Sequence, residues 1–320
     1  MTSQPLVSVC CMTYNHEKTI AQTIDGIISQ QTDFPFELII HDDASTDTTP
    51  DIIKSYAERY PDIIRPILQT ENQFHNCNIL EKFLCPAIKG KYVAICEGDD
   101  YWTDTNKLQL QAECMESDPN RSLCFHAVTQ LNSDGTEMTY RPFKSDGSVS
   151  DELVVKMGGM FCPSVSLMYR RDVADCWPQF RLLADVYDYP TQVLAATMGE
   201  VFYIDKIMGV YRFAADNSWT AEHASVTDYR HTDNETRWLE LFNEYTNGRY
   251  KSAIDYHLTH MWFTEYRKSI DPEIKAQAKK YISNLGIKDK FVFSSLFTVF
   301  TVLGKRANNL WYFLKKYLLK

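Results

Sequence analysis

Short apolar runs alternate with amphipathic stretches from Leu6 to Asn132. This is the pattern of βα units feeding a largely parallel sheet. The runs Leu6–Thr13, Phe36–His41, Ile64–Gln69, Tyr92–Cys96 and Leu123–Gln130 predict strands, because they are short, apolar and bounded by polar segments. Between them, Thr19–Ser29, Thr49–Tyr60, Ile79–Ile88 and Lys107–Glu116 carry apolar positions at helical spacing, and Thr49-Pro50 predicts a helix cap followed by a first-turn proline. Residues 133–163 are richer in Gly, Ser and Asp and read as loops and short elements. Beyond them Ser164–Tyr169 and Val201–Ile204 predict strands, Asp188–Met198 predicts a helix, and the chain turns helical from Glu222 onward. No internal repeat or low-complexity tract interrupts this order. The organisation expected is an α/β domain over residues 1–220, in two halves that divide at about residue 132, then a helical region over 221–320.

A chain of 320 residues has room for such a domain with an appendage. With 44% hydrophobic and 23% charged residues, the composition predicts a folded protein throughout. The formal net charge of -9 leaves no overall basic field, so nucleic acid is not an expected partner. An acidic protein that handles an anionic nucleotide must neutralise phosphate locally, and carboxylates holding a divalent cation do this economically. The nine cysteines form no CxxC pair and sit largely in apolar runs, which fits small core residues in a reducing compartment. Met1 to Pro5 lacks the basic then apolar pattern of a signal peptide, so the expected location is cytoplasmic. Near the end, Phe291–Leu303 is apolar and is followed by Lys305 and Arg306, then by Leu310–Leu319 interleaved with Lys315 and Lys316, and by Lys320. The run is shorter than the ~20 residues that span a bilayer. Two readings stay open for it: an interfacial helix on the inner face of the membrane, or a helix packed on the domain or in a dimer.

Three polar clusters follow predicted strands, where open α/β sheets bind ligands. Thr13-Tyr14-Asn15 opens a strand-to-helix turn, a place for nucleotide contacts and equally for ordinary capping. Asp42-Asp43-Ala44-Ser45-Thr46-Asp47 begins with adjacent carboxylates that can accept from an imide N–H and a ribose hydroxyl, while Asp47 reads as a turn residue capping the next helix. Glu97-Gly98-Asp99-Asp100-Tyr101-Trp102 packs three carboxylates around a glycine. That density fits a cation site, for which hard oxygen ligands suit Mg2+ or Mn2+, with a solvated acidic turn as the plain reading.

These clusters, in this order, resemble the family-two glycosyltransferases of the GT-A fold. The resemblance rests on Val7-Ser8-Val9 leading to Thr13-Tyr14-Asn15, on Leu38-Ile39-Ile40-His41-Asp42-Asp43, and on Gly90-Lys91-Tyr92-Val93-Ala94-Ile95-Cys96-Glu97-Gly98-Asp99-Asp100. It spans roughly Leu6 to Arg212. It implies a Rossmann-like, mostly parallel central sheet flanked by helices. Thr13, Tyr14, Asn15, Asp42 and Asp43 would hold the nucleoside, and Glu97-Gly98-Asp99 would be the DxD-type motif, with Glu97 standing where Asp is usual. The metal is placed on Asp99 with Asp100 beside it, and the role of Glu97 is open. Asp188, in Asp188-Tyr189-Pro190, matches the position of the base in inverting members, with Asp185 as the alternative. As a helix-capping carboxylate Asp188 would look the same. Arg212, in Ile207-Met208-Gly209-Val210-Tyr211-Arg212, matches a closing strand whose arginine reaches phosphate, against a surface salt bridge as the plain reading. Phe213–Thr220 could form a lid over the diphosphate, and Trp219 in it could equally be a core anchor.

The reaction so implied moves a sugar from a nucleotide donor, with UDP the nucleotide of family habit, to a glycan or lipid-linked acceptor. One rival, a nucleotidyltransferase, wants a glycine-rich phosphate loop near the first strand, and Cys10–Lys18 contains no glycine. The other is a non-catalytic sugar-nucleotide or glycan-binding protein derived from a transferase. Glu97 suggests it, and Asp99, Asp100 and Asp188 argue against it.

Overall fold

The computed structural model describes residues 4–74, 76–213, 229–268 and 271–294. These fall into two compact units. The first gathers the described residues up to Val154, Gly159–Leu182 and those of Val186–Ser225; the second holds Val155–Gly158, Leu183–Asp185 and the described residues from Val226 on.

The first unit is built on a ten-stranded sheet. Its strands are β1 (Val7–Thr13), β2 (Phe36–Asp42), β3 (Ile64–Leu68), β4 (Tyr92–Ile95), β5 (Tyr101–Trp102), β6 (Arg121–Asn132), β7 (Glu137–Tyr140), β8 (Gly147–Val149), β9 (Met168–Arg170) and β10 (Glu200–Phe213). The order is β3-β2-β1-β4-β9-β6-β10-β5, with β7 on β6 and β8 on β10. From β3 to β4 every pairing is parallel. Past β4 the sheet is mixed, because β9 runs antiparallel to both β4 and β6 while β10 runs parallel to β6. Central β1 is buried on both faces, which is why apolar Val9, Cys10 and Cys11 follow one another there, while the one polar residue among them and Val7, Ser8, donates to Glu37 (2.6 Å).

The flanking helices follow the sequence periodicity. In α1 (Ile20–Ile28), Ile20, Thr23, Ile24 and Ile27 are buried, the i, i+3, i+4, i+7 stripe of a core-facing helix. The next two are α2 (Thr49–Arg59) and α3 (Lys107–Ser117); α3 buries Leu108, Gln111, Ala112 and Met115 against Cys124 and Val128 of β6. Short helices α4 (Asp151–Met157), α5 (Arg171–Asp175) and α6 (Gln179–Leu183) precede α7 (Asp188–Met198).

Three expectations are corrected. Ile79–Ile88 is not a regular helix: a π-helical turn, Leu80–Leu84, gives way to a 3-10 turn, Cys85–Ala87, where Pro86 lacks the N–H to continue the ladder. Ser164–Tyr169 divides into a 3-10 turn, Ser164–Ser166, and the start of β9, since the Ser166 hydroxyl donates to the Pro163 carbonyl (2.6 Å). The segments around Val201–Ile204 and Ile207–Arg212 are one strand, β10, whose pairing with β6 shifts register between Ile204 and Ile207. All nine cysteines are free thiols.

The second unit is helical: α8 (Arg230–Tyr245), α9 (Lys251–Lys268), α10 (Pro272–Asn284) and helical turns over residues 287–294. Trp238, Phe242, Leu258, Phe263 and Tyr281 are among its buried residues, and Asp271 caps α10 by accepting from the Glu273 amide (2.8 Å). No helix among the described residues is long and apolar enough to cross a membrane. Most of Phe291–Leu303, all of Leu310–Leu319 and the segment 214–220 lie outside the described residues.

Candidate functional site

Strands β2, β1 and β4 are adjacent and parallel, so the loops leaving their carboxyl ends emerge side by side. Main-chain bonds join them: Gly98 N to Met12 O (2.9 Å), and Asp43 N to Thr13 O (3.0 Å). Gly98 is required by this crossing. A Cβ there would lie 2.5 Å from Thr13 Oγ1 and 2.7 Å from His16 Nδ1. From the start of α1, the Thr19 and Thr23 hydroxyls donate to Gly98 O (2.8 and 3.1 Å), and Thr23 also to Asp100 O (2.6 Å). The acidic turn is thereby fixed through its backbone, which leaves its side chains available.

One carboxylate oxygen from each of Glu97, Asp99 and Asp100 lies within 4.8 Å of the others. Asp100 is buried; its Oδ1 accepts from the Arg212 amide (2.8 Å), and its Oδ2 has no hydrogen-bond partner among the described residues. Burial first, then the charges of Asp99 and Glu97, hold the Asp100 carboxyl well above the usual carboxylate range. Glu97 is pushed up to about 8 by removal from water, then by Asp99 and Asp188, against the lowering effect of the Ser164 hydroxyl 2.8 Å from its Oε2. Three crowded carboxyls with an orphaned buried oxygen form an all-oxygen donor set that fits Mg2+ or Mn2+.

On the β1–β2 side, Asn15 and Ala44 take left-handed backbone conformations (φ 55° and 60°). Asn15 N donates to Ser45 Oγ (2.8 Å), and Asn15 Oδ1 accepts from Thr46 N (2.8 Å), so the two loops clasp each other. Both paired aspartates are buried and engaged. Asp42 accepts from the Ser45 hydroxyl and amide, and Asp43 from the Gln73 and Phe74 amides (2.8 and 3.1 Å). Thr13 is buried with its hydroxyl 3.1 Å from His16 Nδ1, whereas Tyr14 is exposed beside it. Asp47 accepts from Thr49 N (2.9 Å) at the start of α2, which begins at Thr49, so Pro50 sits at its second position.

Asp188 is the first residue of α7, and its Oδ1 accepts from the Tyr189 amide (2.8 Å). Its Oδ2 lies 3.3 Å from where a Cβ on Gly159 would stand, and its charge acts on both Glu97 and Cys162. The structure thus brings Asp188 to the acidic turn. Asp185 belongs to the second unit, where its Oδ2 meets His231 Nδ1 (3.0 Å). Arg212 donates to the Asp99 carbonyl and to Gln22 Oε1, with its guanidinium 4.6 Å from the Tyr101 ring centroid. Ser218, Trp219 and Thr220 lie outside the described residues.

Sequence reasoning passed over His16, Gln22, Thr19, Thr23 and Ser164. The two threonines, spaced i and i+4 at a helix start, carried a signal that the helical period hid. Ser164 carried none, because it sits in a run read as strand.

Residues 8–177, more than half of the chain, match the family model described as glycosyl transferase family 2. An uncharacterised protein of Mycobacterium tuberculosis is 39% identical over 228 residues, covering 70% of this chain and 62% of its own length. The chain thus spans about 62% of the length of the mycobacterial relatives it matches. The Escherichia coli enzyme named UDP-Glc:alpha-D-GlcNAc-diphosphoundecaprenol beta-1,3-glucosyltransferase is 34% identical over 113 residues, 35% of this chain and 42% of that one. The Staphylococcus aureus protein TarS, solved with UDP-GlcNAc, superimposes with a TM-score of 0.65 at 16% identity, covering 88% of this chain and 82% of that one.

Proposed function

The chain belongs to glycosyl transferase family 2 and has the GT-A fold, and we propose that it moves a hexosyl group from a UDP-sugar to a hydroxyl of a glycan or lipid-linked glycan, with inversion. The observation that carries this reading is the convergence of Asp188 on the three-carboxylate turn of Glu97, Asp99 and Asp100. Supporting the nucleotide and acceptor class are the UDP-sugar bound by TarS and the lipid-linked substrate in the name of the E. coli relative.

Asp188, in the first turn of α7, takes the proton from the attacking acceptor hydroxyl. Asp99 and Asp100 would hold Mg2+ or Mn2+, which supplies charge neutralisation for the diphosphate leaving group. Arg212 steadies the turn through the Asp99 carbonyl and adds positive charge beside the phosphates. Tyr14 offers its exposed ring to the nucleoside, while Thr13, Asn15, Asp42 and Asp43 shape the loops that receive it. Glu97, raised to about 8 by burial and then by the charges of Asp99 and Asp188, and bonded to Ser164, borders the sugar. The protein works in the cytoplasm at the membrane face. Ile287 and Phe291, exposed at the head of the apolar and basic sequence running to Lys320, are the side chains assigned to that contact.

The test is release of nucleoside diphosphate from a panel of nucleotide sugars, with and without Mn2+, in the presence of lipid-linked acceptors. UDP release from one UDP-sugar is expected. Absence of binding and turnover with every donor under every metal condition rejects the reading.

A further inference from the structure

Arg181 of α6 is buried, and none of the bonds it makes among the described residues goes to a carboxylate. Its Nη1 donates to Val173 O of α5 (2.6 Å) and to Cys176 O just beyond that helix (2.7 Å). Its Nη2 donates to Thr191 Oγ1 of α7 (3.0 Å), and the guanidinium lies 3.9 Å from the Trp177 ring centroid. A buried cation without an opposite charge is costly, so these bonds have to offset its desolvation. They join two parts of the site. On one side α5 continues β9, which is registered against β4 through Val93↔Tyr169 and Ala94↔Met168, and β4 leads into the acidic turn. On the other side the buried Thr191 hydroxyl, having accepted from Arg181, donates to Tyr187 O (2.6 Å), the carbonyl of the residue before Asp188. Its single proton is committed to that carbonyl, which fixes the direction of the chain of bonds.

We propose that Arg181, acting through Thr191, is a positioning residue for sugar transfer: the bonds from Arg181 to Thr191 and from Thr191 to Tyr187 O set the first turn of α7, and with it the Asp188 carboxylate, against the β9–β4 frame that carries Glu97, Asp99 and Asp100. The inference rests on the reading of Asp188 as the base. A second buried side chain of α7 holds the opposite wall of the same place. Gln192 Nε2 donates to Gly159 O (3.0 Å) and Cys162 O (2.9 Å), and a Cβ on Gly159 would stand 3.3 Å from Asp188 Oδ2. The donor-side groups come from the loops after β1, β2 and β4, and neither Arg181 nor Thr191 bonds to them. Loss of the Arg181–Thr191 bond therefore moves the base and spares the donor. A misplacement of about 1 Å is enough to slow a step that depends on near-attack geometry.

The test compares Thr191→Val, which keeps the branched shape and loses the hydroxyl, with Thr191→Ser, which keeps the hydroxyl. Both are made in the full chain and assayed with Mn2+ and a UDP-sugar that the parent turns over, with rates divided by the number of UDP-binding sites found by calorimetry. Thr191→Val should lower kcat about 10- to 100-fold with the donor KM within about twofold of the parent, and Thr191→Ser should restore kcat to within about threefold. In a chain that already carries Asp188→Asn, adding Thr191→Val should change the residual rate by less than about twofold, because the bond acts through the carboxylate that is gone. Parental kcat in Thr191→Val, or an equal fall with and without the Asp188 carboxylate, overturns the proposal. Parental transfer by Asp188→Asn alone rejects Asp188 as the base, and this inference with it. Should Thr191→Val bind no UDP, Arg181→Lys takes its place in the same comparison, since one ammonium cannot hold Val173 O, Cys176 O and Thr191 Oγ1 together.

Discussion

The backbone amide of Arg212 donates to Asp100 Oδ1 across 2.8 Å, tying the end of β10 to the acidic turn that follows β4. β5 reinforces the tie by pairing Tyr101 and Trp102 with Val210 and Gly209. Because this bond uses main chain, replacing the Arg212 side chain leaves Asp100 in place and removes only the guanidinium, with its bonds to Asp99 O and Gln22. Arg212→Ala should therefore weaken donor binding about 10- to 100-fold, the range of a charge-assisted hydrogen bond, with thermal stability nearly unchanged. Arg212→Lys should not restore it, since an ammonium cannot reproduce the planar fork stacked on Tyr101. Full rescue by lysine in a donor titration would remove the geometric argument and leave only charge.

Much of this arrangement was legible in the sequence where local pattern and tertiary role coincide. The strand ends that place Asp42, Asp43 and Glu97 were visible because β1, β2 and β4 are buried on both faces and so read as apolar runs. The engagement of Asp43 was not visible. Its partners are the amides of Gln73 and Phe74, some thirty residues on, and a backbone donor leaves no mark in side-chain identity. Lys107 shows the same limit from the other direction. It is the first residue of α3 and a charged one, yet it is fully buried, with Nζ 3.8 Å from the Trp102 ring centroid and its pKa pushed down to about 7 by desolvation. In sequence, Asp188 ranks ahead of Asp185 only by its place in Asp188-Tyr189-Pro190. The structure gives them different partners, His231 for Asp185 and the Tyr189 amide for Asp188.

Asp99 and Asp100 carry different loads, and substitution should separate them. Asp99→Ala should abolish any gain in UDP binding from added Mn2+, read by calorimetry. Asp100→Asn keeps an oxygen to accept from Arg212 but turns the orphaned Oδ2 into an amide donor, so metal affinity should fall at least about tenfold while the fold persists. Unaltered Mn2+ dependence in both variants would place the metal elsewhere.

Gly98→Ala tests the crossing of the β1 and β4 loops. The added methyl would meet Thr13 Oγ1 at 2.5 Å and Thr13 Cβ at 2.7 Å, so one loop must retreat. Overpacking of this kind costs about 1–3 kcal/mol, and chemical denaturation should show it together with loss of donor binding. A variant with parental stability and affinity would mean that the loops are not pinned at this point.

Asp188→Asn keeps an oxygen for the Tyr189 amide, so α7 should start normally. It removes the base. Transfer should fall by about 10²- to 10⁴-fold while donor affinity stays within about twofold. Asp185→Asn, which weakens the contact with His231, should leave the turnover rate close to that of the parent. If Asp188→Asn turns over normally and Asp185→Asn does not, the base has been assigned to the wrong carboxylate.

The second unit should carry a pH signature of its own. Buried Glu235 lies between His231 Nε2 (3.2 Å) and His257 Nε2 (2.6 Å), and His231 Nδ1 meets Asp185 (3.0 Å). Desolvation works against charge at both His231 and Glu235. It is outweighed at His231 by the bonds to Asp185 and Glu235, which raise its pKa from 6.5 to about 10, and at Glu235 by the two histidines, which lower its pKa from 4.5 to about 2. A raised histidine stabilises the fold fully below pH 6.5 and loses that contribution as pH climbs toward 10; a depressed carboxylate contributes fully above pH 4.5 and loses it as pH falls toward 2. The cluster is therefore strongest between those inner limits. Relative to the parent, His231→Gln should cost most stability near pH 5–6 and progressively less toward pH 10, as read by urea unfolding of the helical unit. A difference that stays constant across that range would mean the histidine acts through packing and not through its charge.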